Sequence, residues 1–227
     1  MNANDFGRRT FLMGSLATAG AVLFSSRTNT FAAELAKTPA VTEGPFYPDK
    51  LPLDTDNDLL IVNDSITAAV GEVTHLMGIL KDATGTPIGG ASIEIWQVDN
   101  GGAYIHSRTG NKAKQDKNFQ GFGRCTTDRN GAYYFRTIKP VAYPGRAPHI
   151  HYKVKFKRKE LLTSQILIAG EKQNDRDGIF RDAGGLLEQE LMLAEFKPMK
   201  DSKIGELEAK FDIVVGKTPD DSGTSKK

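Results

Sequence analysis

Hydrophobic and polar residues alternate along much of the chain. The alternation is clearest at residues 207–215, where every second residue is apolar and the residues between them are mostly charged. Because successive side chains of a strand point to opposite faces, a period of two predicts a strand with one buried face. Similar alternation, or a run rich in β-forming residues, predicts further strands at residues 91–96, 131–138, 149–156 and 164–169.

Turn-forming residues separate the predicted strands. Aspartate, glycine and proline cluster at residues 82–87, and residues 128–131 read Asp-Arg-Asn-Gly. Short strands at this spacing are typical of an antiparallel β-sandwich or barrel. Strand alternation is least clear at residues 178–194, so any helix is expected there and is expected to be short. The polar residues 216–227 are predicted to form a disordered tail.

The N-terminal segment has a different character from the rest of the chain. Arg8 and Arg9 precede an apolar run at residues 11–24, followed by small residues that offer a cleavage site. A run of 14 residues is shorter than the roughly 20 that span a membrane. The paired arginines resemble a bacterial twin-arginine signal. We therefore predict an export signal at residues 1–32, a domain at residues 33–215 without a membrane span, and a periplasmic or extracellular location.

Charge and cysteine content narrow the classes of function. The formal net charge of +2 comes from the predicted signal, because 27 basic and 27 acidic residues remain without its three arginines and one aspartate. A nearly neutral domain has no basic surface for nucleic acid or an anionic membrane, and we expect neither as a partner. Cys125 is the only cysteine in the sequence, which excludes an internal disulfide framework and a thiolate zinc site.

The clearest chemical signal is a pair of histidines, His149 and His151, with one residue between them. On a strand, such residues point to the same face with Cα atoms about 6.6 Å apart, so two imidazoles can bind one ion. A solvated strand face is the alternative, because Lys153 and Lys155 continue the same side. Two histidines alone are too few for a metal site, which normally has three or four protein donors.

A loop rich in proline and glycine lies just upstream of the histidine pair. It contains Tyr143 and Arg146, and Tyr104 lies in a second glycine-rich stretch that follows the predicted strand at residues 91–96. A tyrosine in such a loop, with an arginine three residues before His149, is unusual for a simple turn. A buried aromatic lid over the end of the sandwich is the alternative role for Tyr143.

Together these motifs resemble the signature of the intradiol ring-cleavage dioxygenases. Residues 143–151 read Tyr-Pro-Gly-Arg-x-x-His-Ile-His, and three upstream motifs follow in the family's order: Thr-Glu-Gly-Pro-Phe-Tyr-Pro at 42–48, Glu-Ile-Trp-Gln at 94–97 and Gly-Ala-Tyr at 102–104. The resemblance covers nearly all of the predicted domain. It implies a mainly β fold, namely an antiparallel β-sandwich with long active-site loops and little helix.

The resemblance also implies a metal centre with one Fe(III) per chain. Its protein ligands would be two tyrosines and two histidines, with Tyr143 and His151 axial and with Tyr104 and His149 equatorial beside a hydroxide. Hard phenolate donors lower the charge on the ion and favour ferric over ferrous iron. A trivalent ion would deprotonate the tyrosines, as metals do to their acidic ligands.

Three residues take catalytic roles by the same resemblance. Tyr143 would leave the metal as the substrate binds and would take one of its protons, while the hydroxide takes the other. Arg146 would stabilise anionic charge that develops on the ring. Gln165 would orient a ligand or Arg146.

The implied reaction cleaves a catechol-type ring between its two hydroxyl carbons and inserts both atoms of O2, giving a cis,cis-muconate-type diacid. A secreted, non-catalytic β-sandwich binding module is the first alternative, since one fold can serve several functions. An extradiol enzyme with Fe(II) is the second, but it needs a carboxylate beside two histidines. No aspartate or glutamate is better placed than the two tyrosines.

The sequence departs from the family pattern in two places. Only five residues separate Tyr143 from His149, where many relatives have a longer insert, so the choice among catechols stays open. The motif at residues 42–48 follows the predicted signal almost at once, which resembles a compact protocatechuate-type subunit. The catechol and hydroxyquinol enzymes have instead a helical N-terminal dimerisation region. The oligomeric state stays open, with a homo-oligomer as one option.

Overall fold

The computed structural model describes residues 34–63 and 65–216. The predicted export signal at residues 1–32 and residues 217–227 of the predicted tail lie outside this part, so both stay predictions. Among the described residues, no helix has the length and apolar character needed to cross a membrane.

Strands make up most of the regular structure in this part of the chain. In chain order they are β1 (Val73–Asp82), β2 (Ser92–Trp96), β3 (Phe122–Thr126), β4 (Ala132–Ile138), β5 (His149–Phe156), β6 (Lys159–Ile168), β7 (Leu193–Ala194), β8 (Phe196–Pro198), β9 (Leu207–Lys210) and β10 (Ile213–Val215). Two short helices, α1 (Gly178–Arg181) and α2 (Leu186–Glu190), lie where the sequence predicts a short helix.

The strands form two five-stranded sheets. In the first sheet, β1 pairs antiparallel with β4 on one side and parallel with β9 and β10 on the other, and β8 pairs antiparallel with β9. The second sheet has the order β3-β2-β5-β6-β7 and is antiparallel except for a short parallel pairing of β6 with β7. The predicted β-sandwich with little helix is therefore confirmed, and each of its parallel pairings joins at most four residue pairs.

One hydrophobic core lies between the two sheets. Leu76 and Phe135 of the first sheet belong to the same buried cluster as Ile95, Ile150 and Tyr152 of the second. Burying a large apolar side chain contributes about 1.5–3 kcal/mol, so several alternating apolar positions fix which face of a strand turns inward. The apolar face predicted for residues 149–156 is confirmed in β5.

The C-terminal alternating segment forms two strands, separated at Phe211 and Asp212. Its five alternating apolar residues are all buried, as the pattern predicts. The carbonyl oxygen of Phe211 occupies the space that a Cβ on Gly78 of β1 would need, so glycine is required at this close approach. The same face of β1 also carries the polar residues Thr74 and Asp82, so alternation of apolar residues does not mark this strand.

The face of β2 and β5 that points away from the core, which we call the second face, is covered by residues 42–47. We call this segment the strap. The side chains beneath it, including Trp96, His149, His151 and Lys153, are buried. The alternative of a solvated strand face is therefore wrong for the first three alternating residues of β5, and only Lys155 is partly exposed. The alternation predicts the strand correctly but carries no information about a segment that packs over it.

Candidate functional site

The histidine pair lies at the start of β5, and both rings are buried under the strap. The two Nε2 atoms are 3.1 Å apart. Nδ1 of His149 lies 2.6 Å from the carbonyl oxygen of Ala147. Because a carbonyl only accepts hydrogen bonds, this Nδ1 carries the proton, and Nε2 of neutral His149 presents a lone pair toward His151. The structure thus brings two imidazoles to one point, as the strand geometry predicts.

Tyr104 brings a third donor atom to this point. Its hydroxyl oxygen lies 3.0 Å from Nε2 of His151 and 3.4 Å from Nε2 of His149. The loop that carries it is held by Asp99, whose carboxylate accepts hydrogen bonds from the backbone N–H groups of Gly101 and Ala103. An aspartate that bonds to the backbone two residues onward forms an Asx turn, so the chain reverses just before Tyr104.

Tyr143 lies beside the three donors in a more exposed loop. Its ring centroid is 5.5 Å from that of Tyr104 and 5.6 Å from that of His149. A tight turn shapes the loop, because the N–H of Arg146 donates to the carbonyl of Tyr143 and Gly145 has a φ of 81°. The hydroxyl of Tyr143 accepts a hydrogen bond from Nη1 of Arg146 at 3.4 Å, a polar contact in addition to the ring packing expected of an aromatic lid.

Burial controls the protonation of the donor groups. It lowers the pKa of His149 from 6.5 to about 4, with the nearby Arg146 guanidinium acting in the same direction. Burial, followed by His149 and Arg146, also lowers the pKa of His151 well below its usual range. Burial raises the pKa of the Tyr104 phenol well above 10, and Tyr143 adds to the effect. At neutral pH the site therefore holds neutral imidazoles and a phenol that ionises only beside strong positive charge.

The donor set fits a metal ion. At metal–donor distances of about 2.0–2.2 Å, donors at right or tetrahedral angles lie about 2.8–3.6 Å apart. The three separations among Tyr104, His149 and His151 fall in this range. No group of three histidine, cysteine, aspartate or glutamate side chains in the described part of the chain could hold a metal. A metal site here would accordingly depend on the tyrosines.

Arg146 is fixed beside the donors by two polar side chains. Its Nε donates to Oδ2 of Asp177 at 2.8 Å, and its Nη2 donates to Oε1 of Gln165 at 2.6 Å. Gln165 lies directly opposite His151 in the pairing of β5 with β6. The sequence analysis expects Gln165 to orient a ligand or Arg146, and the structure shows its contact with Arg146.

Asp177 is a site residue that the sequence analysis does not select. Its carboxylate also accepts from the N–H groups of Ala147, Ile179 and Phe180, and so begins α1 as its N-cap. Burial opposes its charge, but the bonds from Arg146 and the backbone outweigh burial and lower its pKa. An aspartate before a short helix signals a cap, but nothing in the sequence indicates its contact with Arg146, 31 residues away.

A cavity of about 280 Å³ opens next to Tyr143 and Arg146. The other polar residues that line this cavity are Gln173, Arg176 and Asp177. Its volume is close to the lower end of the range for small-molecule sites, about 300–1,000 Å³.

Comparison with known proteins places this chain in a family. A family model described as "Dioxygenase" matches residues 42–217. The protocatechuate 3,4-dioxygenase beta chain of Burkholderia cepacia is 40% identical over 92 residues, which are 37% of this chain and 39% of that protein. Hydroxyquinol 1,2-dioxygenase of Corynebacterium glutamicum is 27% identical over 201 residues, 78% of this chain and 63% of that protein. The chain thus spans less than two thirds of the length of these curated relatives.

A solved structure shows the same likeness. The dioxygenase domain of a dioxygenase–carbohydrate-binding protein fusion from Streptomyces sp. SirexAA-E superposes with a TM-score of 0.61 at 26% sequence identity, covering 80% of this chain and 99% of that chain. The family match covers more than half of the sequence and includes the loops that carry both tyrosines and the strand that carries both histidines. The chain belongs to the intradiol ring-cleavage dioxygenase family.

Proposed function

We propose that the protein is a non-haem Fe(III) dioxygenase with one iron per chain. In this proposal it cleaves a catechol-type ring between the two hydroxyl carbons and inserts both atoms of O2, giving a cis,cis-muconate-type diacid. The observation that carries the proposal is the convergence of the Tyr104 oxygen and the two histidine Nε2 atoms within 3.4 Å of one another. Two neutral imidazoles and two phenols that can ionise form a donor set suited to a hard trivalent ion.

Tyr104, Tyr143, His149 and His151 would hold this ion. When bound, a ferric ion supplies a site that binds both oxygens of a catechol and draws electron density from the ring until a ring carbon can react with O2. The protein's own contribution is a site shielded from bulk solvent, because three of these four side chains are at most 2% exposed. Excluding water strengthens every charge interaction within the site.

The two tyrosines are suited to different tasks. Tyr104 is buried and its ring stacks on Phe46 at a centroid distance of 4.9 Å, so it is held in place. Tyr143 lies partly exposed in its turn, with its hydroxyl approached by Arg146. We therefore assign to Tyr143 the role of the ligand that swings away and accepts a proton from a catechol hydroxyl.

Arg146 is the residue that would stabilise negative charge on the bound ring. Its guanidinium is planar, permanently charged and fixed by Asp177 and Gln165, so it need not reorganise during the reaction. It also borders the cavity beside Tyr143, where a ring would lie. Gln165 and Asp177 act through Arg146, which they hold in position.

The substrate class and the location of the protein complete the proposal. The names of the two relatives contain protocatechuate and hydroxyquinol, which are catechol-type compounds. We propose that this protein takes a small substrate of the same class together with O2. We also propose export by the twin-arginine route, which rests on Arg8, Arg9 and the apolar run at residues 11–24. A non-catalytic binding module would share the sandwich, but it would have no use for donors that converge on one point.

Metal analysis of the purified protein tests the proposal. We expect about one iron per chain and a red-brown colour from tyrosinate-to-Fe(III) charge transfer, together with O2 uptake when a catechol is added. A panel of substituted catechols, each followed by O2 uptake, would then define the substrate. Active protein with stoichiometric zinc or copper, or colourless protein without O2 uptake, would contradict the proposed function.

A further inference from the structure

The strap contacts donor residues and Trp96 along its length. A Cβ added to Gly44 would lie 3.5 Å from Cε1 of His151, so the strap backbone runs close to the edge of that ring. Phe46 stacks on Tyr104 with an interplanar angle of 17°. Tyr47 packs edge-on against Trp96 at a centroid distance of 5.0 Å. The strap thus touches His151 and Tyr104 directly and lies edge-on to Tyr143 through Phe46, at a centroid distance of 6.3 Å. It also contacts Trp96, which packs on His151.

His151 depends on this packing for its orientation. His149 has a backbone carbonyl at its second nitrogen, but Nδ1 of His151 is buried with no hydrogen-bond partner among the described residues. A metal-binding histidine almost always has such a partner, which fixes the ring. The ring is packed on its face instead, because the Trp96 indole lies parallel to it, 4.9 Å away with an interplanar angle of 9°.

An ion pair fastens the strap to the strand that carries the histidines. Lys153 lies two residues after His151 on the same face of β5, and its ammonium group donates to the carboxylate of Glu43 in the strap. The same ammonium lies 4.6 Å from the centre of the Tyr47 ring. Tyr47 in turn donates its hydroxyl proton to Glu94 at 3.0 Å.

Lys153 also pairs with a second carboxylate, which does not belong to the strap. Glu160 lies 3.3 Å from the ammonium group and is part of β6, the neighbouring strand of the same sheet. The side chain of Lys153 is only 9% exposed, while those of Glu43 and Glu160 are 41% and 51% exposed. The lysine is therefore the buried member of both ion pairs. Of these two pairs, only the one with Glu43 connects the sheet to the strap.

We propose that the Glu43–Lys153 ion pair is a tether that clamps the strap over His151 and Tyr104 and so positions the metal donors. Glu43 and Lys153 are positioning residues in this account, because neither touches the proposed metal or substrate. Loss of the tether frees the strap, loosens the packing of Trp96 on His151 and lets the ring turn. The effect on iron rests on the proposed function, whereas the effect on the strap does not.

The single tryptophan of the chain provides a probe that requires no metal. Trp96 lies between Tyr47 and His151 and is fully buried. Glu43→Gln removes the tether at a partly exposed position, and Glu160→Gln is the matched control because it removes the other carboxylate from the same lysine. We expect acrylamide to quench Trp96 fluorescence at least twofold more efficiently in the Glu43→Gln variant, with no change in the control.

The second measurement follows iron loss to an excess of chelator. We expect the Glu43→Gln variant to lose iron about tenfold faster than the wild type, in line with changes to groups that orient metal ligands. The control should stay within twofold, Lys153→Arg should stay near the wild type, and the visible band should shift in Glu43→Gln alone.

Each outcome of the two measurements has a definite meaning. Equal quenching in the two glutamine variants would overturn the tether, and altered quenching with equal rates of iron loss would overturn its positioning of the donors. A wild-type protein without iron would instead contradict the proposed function. In that case the quenching comparison alone decides whether the tether exists.

Discussion

The two ends of the second face of β5 follow the same alternation but differ in chemistry. At one end, the buried ammonium of Lys153 pairs with Glu43 and Glu160, and the next alternating lysine, Lys155, pairs with Glu94. At the other end, two buried imidazoles face each other and a phenol, with no carboxylate partner. A buried charge with its counter-charge is complete, whereas neutral donor groups that converge without a counter-charge are suited to the cation of the proposed function.

This difference also identifies what distinguishes a functional face from a structural one. Both ends lie beneath the strap, so burial alone does not separate them. Acidic side chains pair with the lysines at the charged end. At the imidazole end, Gly44, Phe46 and Trp96 pack on His151 and Tyr104 and contribute no acidic side chain. Apolar residues packed over titratable donors keep those donors neutral and available to a metal.

The largest expected effect separates the two ends by their metal content. His149→Ala or His151→Ala should abolish iron binding and colour, because each removes one of the few converging donors. Lys155→Met, on the same face of the same strand, should retain about one iron per chain. Elemental analysis of the three variants after identical purification makes the comparison, and a His151→Ala protein with full iron would disprove the assignment.

Tyr143→Phe is expected to have the next largest effect. If Tyr143 accepts a catechol proton, its loss should lower the single-turnover rate by about 10²–10⁴-fold. Iron should largely remain, held by Tyr104 and the two histidines, while the absorption shifts because one charge-transfer donor is missing. If Tyr143 is only an aromatic lid, the variant would lose at most about 1 kcal/mol of hydrogen bonding. An unchanged spectrum with a near-normal rate would remove Tyr143 from the site.

Acid should destabilise the two ends in different pH windows. The pKa of His149 falls from 6.5 to about 4 in the folded, metal-free protein, so between these values the unfolded chain binds more protons. Stability should therefore drop as pH falls from about 6.5 to 4, by about 3 kcal/mol for this residue. The Thr163 hydroxyl, and then Lys153, lower the pKa of Glu160, so its contribution is lost only below about pH 4.5.

Urea unfolding of chelator-treated protein at a series of pH values measures these windows. His149→Gln cannot gain a proton in the unfolded state, so its stability should change less than that of the wild type between pH 6.5 and 4. Identical slopes for the two proteins would show that His149 is not held neutral by the fold.

The smallest expected effect is at the exposed rim of the charged end. Glu160→Gln removes an ion pair whose carboxylate is half exposed, and such pairs contribute about 0.2–1 kcal/mol. Lys153 keeps Glu43, so no buried charge is left alone. We expect a change of less than 1 kcal/mol in the free energy of unfolding at pH 7. A loss above 2 kcal/mol would show that the two carboxylates act as one unit.

Local pattern predicts part of this site and none of its long-range contacts. Alternation at residues 149–156 predicts the strand, and strand geometry then brings His149 and His151 together. The position of Tyr104 beside them follows only from the family resemblance, because a loop does not repeat with a period. Arg146 and Asp177 meet through tertiary packing, which no local pattern records. The strap motif is visible in the sequence, but its packing over β5 is not.

Oxygen labelling tests the central claim most directly. A catechol that reacts with the wild-type protein under ¹⁸O₂ should give a diacid with one labelled oxygen in each new carboxylate, because the ring opens between its hydroxyl carbons. Mass spectrometry of the product distinguishes this from cleavage outside the hydroxyls. A yellow hydroxymuconic semialdehyde would show extradiol cleavage and would contradict a ferric centre built from Tyr104, Tyr143, His149 and His151.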